Sequence, residues 1–235
     1  MEDSSSISTP MVVGCKLRKD DLSPDVDQRT YCSMMGSLLY ITTSCPHIMK
    51  VVGMVGRFQF APKQSHLVSV KRIFKYLKGT MTYGIWYPRN KNTQLTAYSY
   101  VDWENFLDEG KSTSGGTFFL GDSLVAWLSK KQGSIYLSTI EAEYIAATTN
   151  CTQILWMIHT LEDLEVKYVD PIPLHCDNTS AISMSKNLVL HSKTKHMPIK
   201  YNLLREKVAN RVVLLDFIPY SEYTADIFTK TLPKT

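Results

Sequence analysis

The sequence has few cysteines and no cysteine motif, and this absence excludes two classes of protein. Its five cysteines, at positions 15, 32, 45, 151 and 176, are odd in number and show no C-x-x-C spacing. The cysteine pattern therefore supports neither a zinc site nor a disulfide framework. Free thiols in this number favour a reducing compartment.

Long apolar runs are also missing. No stretch approaches the roughly 20 apolar residues that a membrane-spanning helix needs, and the opening MEDSSSISTP is polar and acidic, unlike a signal peptide. We expect an intracellular protein, cytoplasmic or nuclear, that is not secreted and has no membrane partner.

Net charge is only +4, too small to identify a polyanionic partner by itself. The charge is unevenly spread, however, because seven Lys/Arg and a single acid, Glu206, lie between Lys186 and Arg211. VKRIFKYLKGT carries a second basic cluster. Such blocks suit contacts with nucleic-acid phosphates, but ordinary solvated helix faces explain either block equally well.

The residue pattern changes near residue 91, where strand-like segments begin. Residues 1–28 are predicted to be a polar tail or linker, residues 29–90 a small helical segment, and residues 91–235 an α/β domain. LTAYSYVDW, GTFFLG and LVAWLSKK read as successive antiparallel strands. A long helix with a Ser138–Glu141 capping box follows, and strands PIPLHC and VVLLDFI alternate with the remaining helices. This order predicts a mixed five-stranded sheet flanked by helices.

Three acids fall near strand ends or helix starts in this pattern. Asp177 follows the strand PIPLHC, and Glu143 and Asp226 are each expected in the first turn of a helix. Carboxylates so placed can converge at one edge of an open sheet, and hard oxygen ligands suit Mg²⁺. Helix capping and helix-dipole partnering account for the same acids without any metal, so spacing alone leaves both interpretations open.

Several motifs resemble one family, in order and in spacing. STIEAEYIAA, HCDNTSAI, SKTKHMPIKY and TADIFTKTLP are similar to the RNase H domain of copia-type LTR retrotransposon Pol polyproteins. YCSMMGSLLYITTSCPHI and KRIFKYLKGT resemble the segment between reverse transcriptase and RNase H in such polyproteins. The resemblance implies an RNase H-like fold that cuts the RNA strand of an RNA·DNA hybrid with two Mg²⁺ or Mn²⁺ ions, with other polyprotein segments as possible partners.

The resemblance also implies a set of site residues. The metal-binding carboxylates would be Glu143, Asp177 and Asp226, and His196 would be the loop histidine that assists product release. The family's fourth carboxylate is the first acid of an S-D-x-D-W pattern, which reads Ser99-Tyr100-Val101-Asp102-Trp103 here. Tyr100 therefore occupies the first ligand position. The nucleic-acid-binding candidates are Lys193, Lys195, Lys200, Arg205 and Asn178.

Tyr100 predicts impaired catalysis. A phenol with a pKa of about 10 is neutral at pH 7 and cannot supply the charge that bridges two dications. Asp102 stays on the candidate list, but at about 3.3 Å per residue it lies nearly 7 Å farther along the strand, beyond the distance between paired metal ions. The alternative is a non-catalytic nucleic-acid-binding remnant of a retrotransposon polyprotein. Three of the four tryptophans, Trp103, Trp127 and Trp156, are expected in the core.

Overall fold

The computed structural model describes residues 4–12, 14–15, 17–89, 92–102, 111–136, 138–166, 168, 170–186 and 202–219. These residues form two compact units, one up to Ile85 and one from Trp86 onward. Within the described ranges, no helix is both long enough and apolar enough to cross a membrane. The domain boundaries drawn from the sequence stay a prediction.

The N-terminal unit is helical. Its helices are α1 (Gln28–Ile41), α2 (Met49–Val55) and α3 (Gln64–Gly79), with 3-10 turns at Pro46–Ile48 and Gly56–Phe58. Asp27 caps α1 by accepting from the Thr30 N–H. The helices bury a shared core that includes Tyr31, Leu38, Val52 and Val70, each 0% exposed.

The segment before α1 packs on α3. The Ile7 N–H donates to the Lys75 carbonyl at 3.4 Å, and Arg72 Nη2 donates to Thr9 Oγ1 at 2.7 Å. Met11 is 1% exposed. Residues 4–12 are therefore part of the N-terminal unit, because their backbone and apolar side chains have partners there.

The second unit is built on a five-stranded sheet. Its strands are β1 (Leu95–Asp102), β2 (Thr113–Leu120), β3 (Ser123–Lys131), β4 (Ile172–Cys176) and β5 (Val213–Phe217), and their order is β3-β2-β1-β4-β5. The β3–β2 and β2–β1 pairs are antiparallel, whereas β1–β4 and β4–β5 are parallel. Helices α4 (Thr139–Asp163), α5 (Thr179–Lys186) and α6 (Asn202–Ala209) flank it. The predicted mixed five-stranded sheet is confirmed.

Strand β1 is central and its two faces differ. Leu95 and Ala97 are buried in the core under α4, and Val101 packs on Ala142 and Ala146 of that helix. Alternate side chains point to the opposite face of a strand, where Tyr98 and Tyr100 pack against Ile218. Tyr100 therefore lies on the central strand but on the face away from α4.

Helix α4 begins where its sequence predicts. Ser138 is the N-cap, and its hydroxyl accepts from the Glu141 N–H at 3.2 Å. The buried face of α4 includes Tyr144, Cys151 and Ile154. Trp156 is 61% exposed. The prediction that it lies in the core is therefore wrong: it is on the solvent side of the helix.

A close approach fixes α4 against β2. Asn150 is 0% exposed, and its Nδ2 donates to the Gly115 carbonyl at 3.2 Å. A Cβ on Gly116 would lie 2.1 Å from Asn150 Oδ1. Because Asn150 is enclosed and hydrogen-bonded, we expect Gly116→Ala to lower the free energy of unfolding by about 1–3 kcal/mol, as measured by urea denaturation.

Gly133 offers a matched control in the same unit, since a Cβ there would meet no atom of the described residues within 4 Å. Gly133→Ala should change the free energy of unfolding by no more than about 0.5 kcal/mol. Equal effects of the two substitutions would contradict the close packing at Gly116.

Candidate active site

Glu143 is a buried carboxylate at the start of α4. It is the fifth residue of the helix, just past the first turn in which the sequence analysis expected it, and it is 7% exposed. Its Oε1 accepts from the Val101 N–H of β1 at 3.2 Å. Its Oε2 is buried and has no hydrogen-bond partner in the described part of the chain. One oxygen is thus fixed by the backbone, and the other is available to a ligand.

Asp177 and Cys176 lie beside this carboxylate. Cys176 ends β4 and pairs in register with Ser99 of β1, so Asp177 directly follows the sheet. The ligand atoms of Glu143, Cys176 and Asp177 all lie within 4.8 Å of one another. Cys176 was not expected near these carboxylates, although its place in the strand directly before Asp177 was a usable signal. The two predicted carboxylates do come together; their role is not thereby tested.

The backbone of Tyr100 lies next to the carboxylates of Glu143 and Asp177. The Val101 nitrogen belongs to the peptide that follows Tyr100, and standard bond lengths put it about 2.4 Å from the Tyr100 Cα. Since Glu143 Oε1 is 3.2 Å from that nitrogen, the Tyr100 Cα is no more than about 6 Å from the carboxylate. Asp102 lies two residues farther along β1, opposite Thr113.

The electrostatics of the pair favour protons when no cation is bound. Burial first, and the negative charge of Asp177 second, raise the pKa of Glu143 to about 9, against a smaller opposing effect of the Val101 N–H. Two neighbouring carboxylates cannot both ionise easily. Burial also raises the pKa of the Cys176 thiol. At neutral pH Glu143 and Cys176 therefore hold their protons.

These residues fit a divalent cation. Two carboxylates supply hard oxygen atoms, as Mg²⁺ and Mn²⁺ prefer, and the unpartnered Oε2 of Glu143 is the kind of buried atom that a cation would satisfy. The protonated Cys176 thiol adds nothing for a hard ion. The described part of the chain accounts for ligands to one cation.

Several predicted site residues fall outside the described part of the chain. These are Asp226, His196, Lys193, Lys195 and Lys200. Their assignment as metal ligand, product-release histidine and phosphate contacts stays a prediction.

Two nucleic-acid-binding candidates are described, and both have structural partners. The Asn178 Oδ1 caps α5 by accepting from the Ala181 N–H at 3.0 Å. Arg205 is 8% exposed, donates from Nε to the Met184 carbonyl and lies over the Tyr144 ring at 5.7 Å. Arg205 thus packs α6 against α4 and α5, and binding by either residue stays a prediction.

Comparisons with known proteins identify relatives of the whole chain. No protein-family model matches it. The chain is 32% identical over 235 residues to a retrovirus-related Pol polyprotein from transposon RE1 of Arabidopsis thaliana, covering 100% of this chain and 16% of that protein. It is 33% identical over 245 residues to the Pol polyprotein from transposon TNT 1-94 of Nicotiana tabacum, covering 100% of this chain and 18% of that protein.

A solved RNase H structure also aligns with part of the chain. LC11-RNase H1, crystallised in complex with an RNA/DNA hybrid, aligns with 57% of this chain and 91% of its own at 14% identity and a TM-score of 0.34. The fold is assigned from the strand order β3-β2-β1-β4-β5. By sequence, the chain belongs to the family of retrovirus-related Pol polyproteins of copia-type transposons and spans less than a fifth of the length of the relatives compared.

Proposed function

We propose that the second unit is an RNase H-like domain that binds RNA·DNA hybrids and cuts their RNA strand only weakly. The observation that carries the proposal is the meeting of Glu143 and Asp177 at the ends of α4 and β4, beside the β1 position that Tyr100 occupies. The chain's kinship with transposon Pol polyproteins supports the assignment.

Each residue of the site has a definite part in this proposal. Glu143 and Asp177 would hold a divalent cation, and the Val101 N–H orients Glu143 by fixing one of its oxygens. Asp226 is proposed as a further ligand. Bound Mg²⁺ or Mn²⁺ ions would supply the activation of water and the stabilisation of the leaving oxygen.

Tyr100 is the reason to expect impaired cutting. A phenol is a neutral group at this position, so the site lacks one negative charge where the family has a carboxylate. Packing of Tyr100 against Ile218 fills the β1 face with an aromatic ring. Binding of hybrid without cleavage is therefore the second candidate function, and Tyr100 is the observation that favours it.

The proposal predicts salt-sensitive binding of an RNA·DNA hybrid. Phosphate contacts release counterions, so three such contacts would lower the affinity about 40-fold between 50 and 200 mM salt. Fluorescence anisotropy with a labelled hybrid measures this. Affinity that does not respond to salt, or no binding at low salt, would contradict the proposal.

Charge reversal in the basic block tests where the hybrid binds. Lys193→Glu should weaken binding several-fold and reduce the salt dependence by about one phosphate contact. Lys19→Glu, at an exposed position in the N-terminal unit, is the matched control and should change affinity much less. Equal losses would show that attraction is diffuse rather than centred on the basic block.

A further inference from the structure

We infer that a groove in the N-terminal unit binds a long-chain carboxylate, the anion of a fatty acid. The groove lies between the segment before α1 and helix α3, and its volume is about 490 Å³. The alkyl chain would lie against apolar side chains, and the carboxylate would lie among cations of α3. The inference does not depend on the proposed function, because every described residue that lines the groove belongs to the N-terminal unit.

Most of the groove lining is apolar. Ile7, Met11 and Val12 come from the segment before α1, and Val68 comes from α3. Met11 is buried, whereas Val12 and Val68 are 54% and 57% exposed. The groove is therefore open to solvent, and its volume is in the range of small-molecule sites. An alkyl chain fits such a lining, because each methylene group that it buries raises the affinity about fourfold.

The polar side of the groove is cationic. Lys71, Arg72 and Lys75 of α3 line it, and none of its described lining residues is acidic. The sequence has no Asp or Glu between Asp27 and Asp102, so α3 carries no acid that could neutralise these cations. An apolar groove bordered by three cations is complementary to a ligand with an alkyl chain and one anionic head group.

Arg72 has a donor without a partner for such a head group to satisfy. Its Nη2 donates to Thr9 Oγ1 at 2.7 Å, but its Nε is buried and has no hydrogen-bond partner among the described residues. A buried donor of this kind costs stability unless something satisfies it. Carboxylates accept from the N–H groups of a guanidinium in pairs, so a carboxylate is the anion that suits Arg72.

Cys15 lines the groove and can report on its occupancy. Burial raises the pKa of the Cys15 thiol, against a smaller opposing effect of the Arg72 charge, so the thiol is neutral at pH 7 and does not neutralise Arg72. The thiol is half-buried, and a bound alkyl chain would shield it from alkylating reagents. Cys45 is also half-buried in this unit but is not among the described lining residues. It is therefore an internal control.

Calorimetric titration of the full chain with matched amphiphiles tests the inference. Decanoate is the probe, and 1-decanol and decyltrimethylammonium carry an alkyl chain of the same length with no charge and with the opposite charge. We expect decanoate to bind at least about tenfold more tightly than 1-decanol, and the ammonium to bind more weakly than either. Affinity should rise about fourfold for each methylene added between octanoate and decanoate.

Alkylation by N-ethylmaleimide, followed by peptide mass spectrometry, locates the bound chain. Saturating decanoate should slow the alkylation of Cys15 at least about fivefold and leave that of Cys45 unchanged.

Charge placed on the groove wall tests the same location. Val68→Glu should weaken decanoate binding at least about tenfold, because it sets a negative charge beside the bound carboxylate. Leu39→Glu is the matched control, at an exposed position of α1 outside the described groove lining, and should change the affinity less than about twofold. If Val68→Glu fails to fold, Lys75→Met replaces it and should weaken binding at least about fivefold.

Equal affinities for decanoate and decyltrimethylammonium would overturn the inference, as would decanoate binding that leaves Cys15 fully reactive. Protection of Cys15 that grows with protein concentration alone would identify a second copy of the chain as the occupant, and would overturn it too.

Discussion

Replacing Tyr100 by aspartate is expected to give the chain Mg²⁺-dependent cleavage of RNA·DNA hybrids that the wild type performs weakly or not at all. The substitution adds the missing charge at a backbone position no more than about 6 Å from the Glu143 carboxylate. Loss of a group that merely supports a metal ligand costs about 10–100-fold. Regaining a ligand should therefore raise the cleavage rate at least about a hundredfold. The assay is release of fragments from a hybrid labelled on its RNA strand.

Three variants decide whether charge is the cause. Tyr100→Asn removes the ring without adding charge and should stay inactive. Adding Asp177→Asn to Tyr100→Asp should abolish the gain, and Asp102→Asn alone should matter little. A wild type that cuts hybrids well and loses that activity with Asp102→Asn would show that Asp102 is the ligand and that the strand alignment was wrong.

A second large effect is expected from the proton that the buried Glu143 carboxyl holds. Burial and the charge of Asp177 raise the pKa of Glu143 to about 9, so a cation binding at pH 7 must displace a proton. The affinity for Mn²⁺ should rise with pH, by up to about tenfold per unit, and level off above about pH 9. Calorimetric titration of the wild type at several pH values measures the slope. A pH-independent affinity between pH 7 and 9 would contradict a bound proton on the ligand.

The raised pKa of Glu143 also makes the stability of the metal-free chain depend on pH. The folded state binds the Glu143 proton with a pKa of about 9, compared with an ordinary value of 4.5. Between these values the folded state holds more protons, so its free energy of unfolding falls as pH rises. Glu143→Gln removes this penalty and should stabilise the metal-free chain by on the order of 2 kcal/mol at pH 7, with little gain near pH 4. Equal gains at both pH values would contradict a raised pKa.

Much of the sheet and half of the site could be predicted from the sequence. Strict alternation in TAYSYVD assigned the two faces of β1, because side chains of a strand alternate. The apolar strand ending at Cys176 placed Asp177 at the edge of the sheet. The Ser138 cap fixed the start of α4, and with it the height of Glu143 above that edge.

Other features depended on contacts that periodicity does not encode. The Glu143–Val101 hydrogen bond and the nearness of Cys176 depend on how α4 crosses the sheet, which Asn150 and Gly116 set by close packing. Arg205 belongs to the basic block and was expected to contact nucleic acid, yet it donates to the Met184 carbonyl and lies over the Tyr144 ring. Trp156 was expected in the core because it is apolar, but its position on α4 faces solvent.

The number of Mn²⁺ ions bound in the presence of hybrid tests most directly whether Tyr100 occupies a ligand position. Mn²⁺ titration followed by electron paramagnetic resonance counts free and bound ions in the wild type, Tyr100→Asn and Tyr100→Asp. We predict that Tyr100→Asp binds one more ion per chain than either of the others. Identical stoichiometry and affinity in all three would contradict the account, because position 100 would then contribute nothing to metal binding.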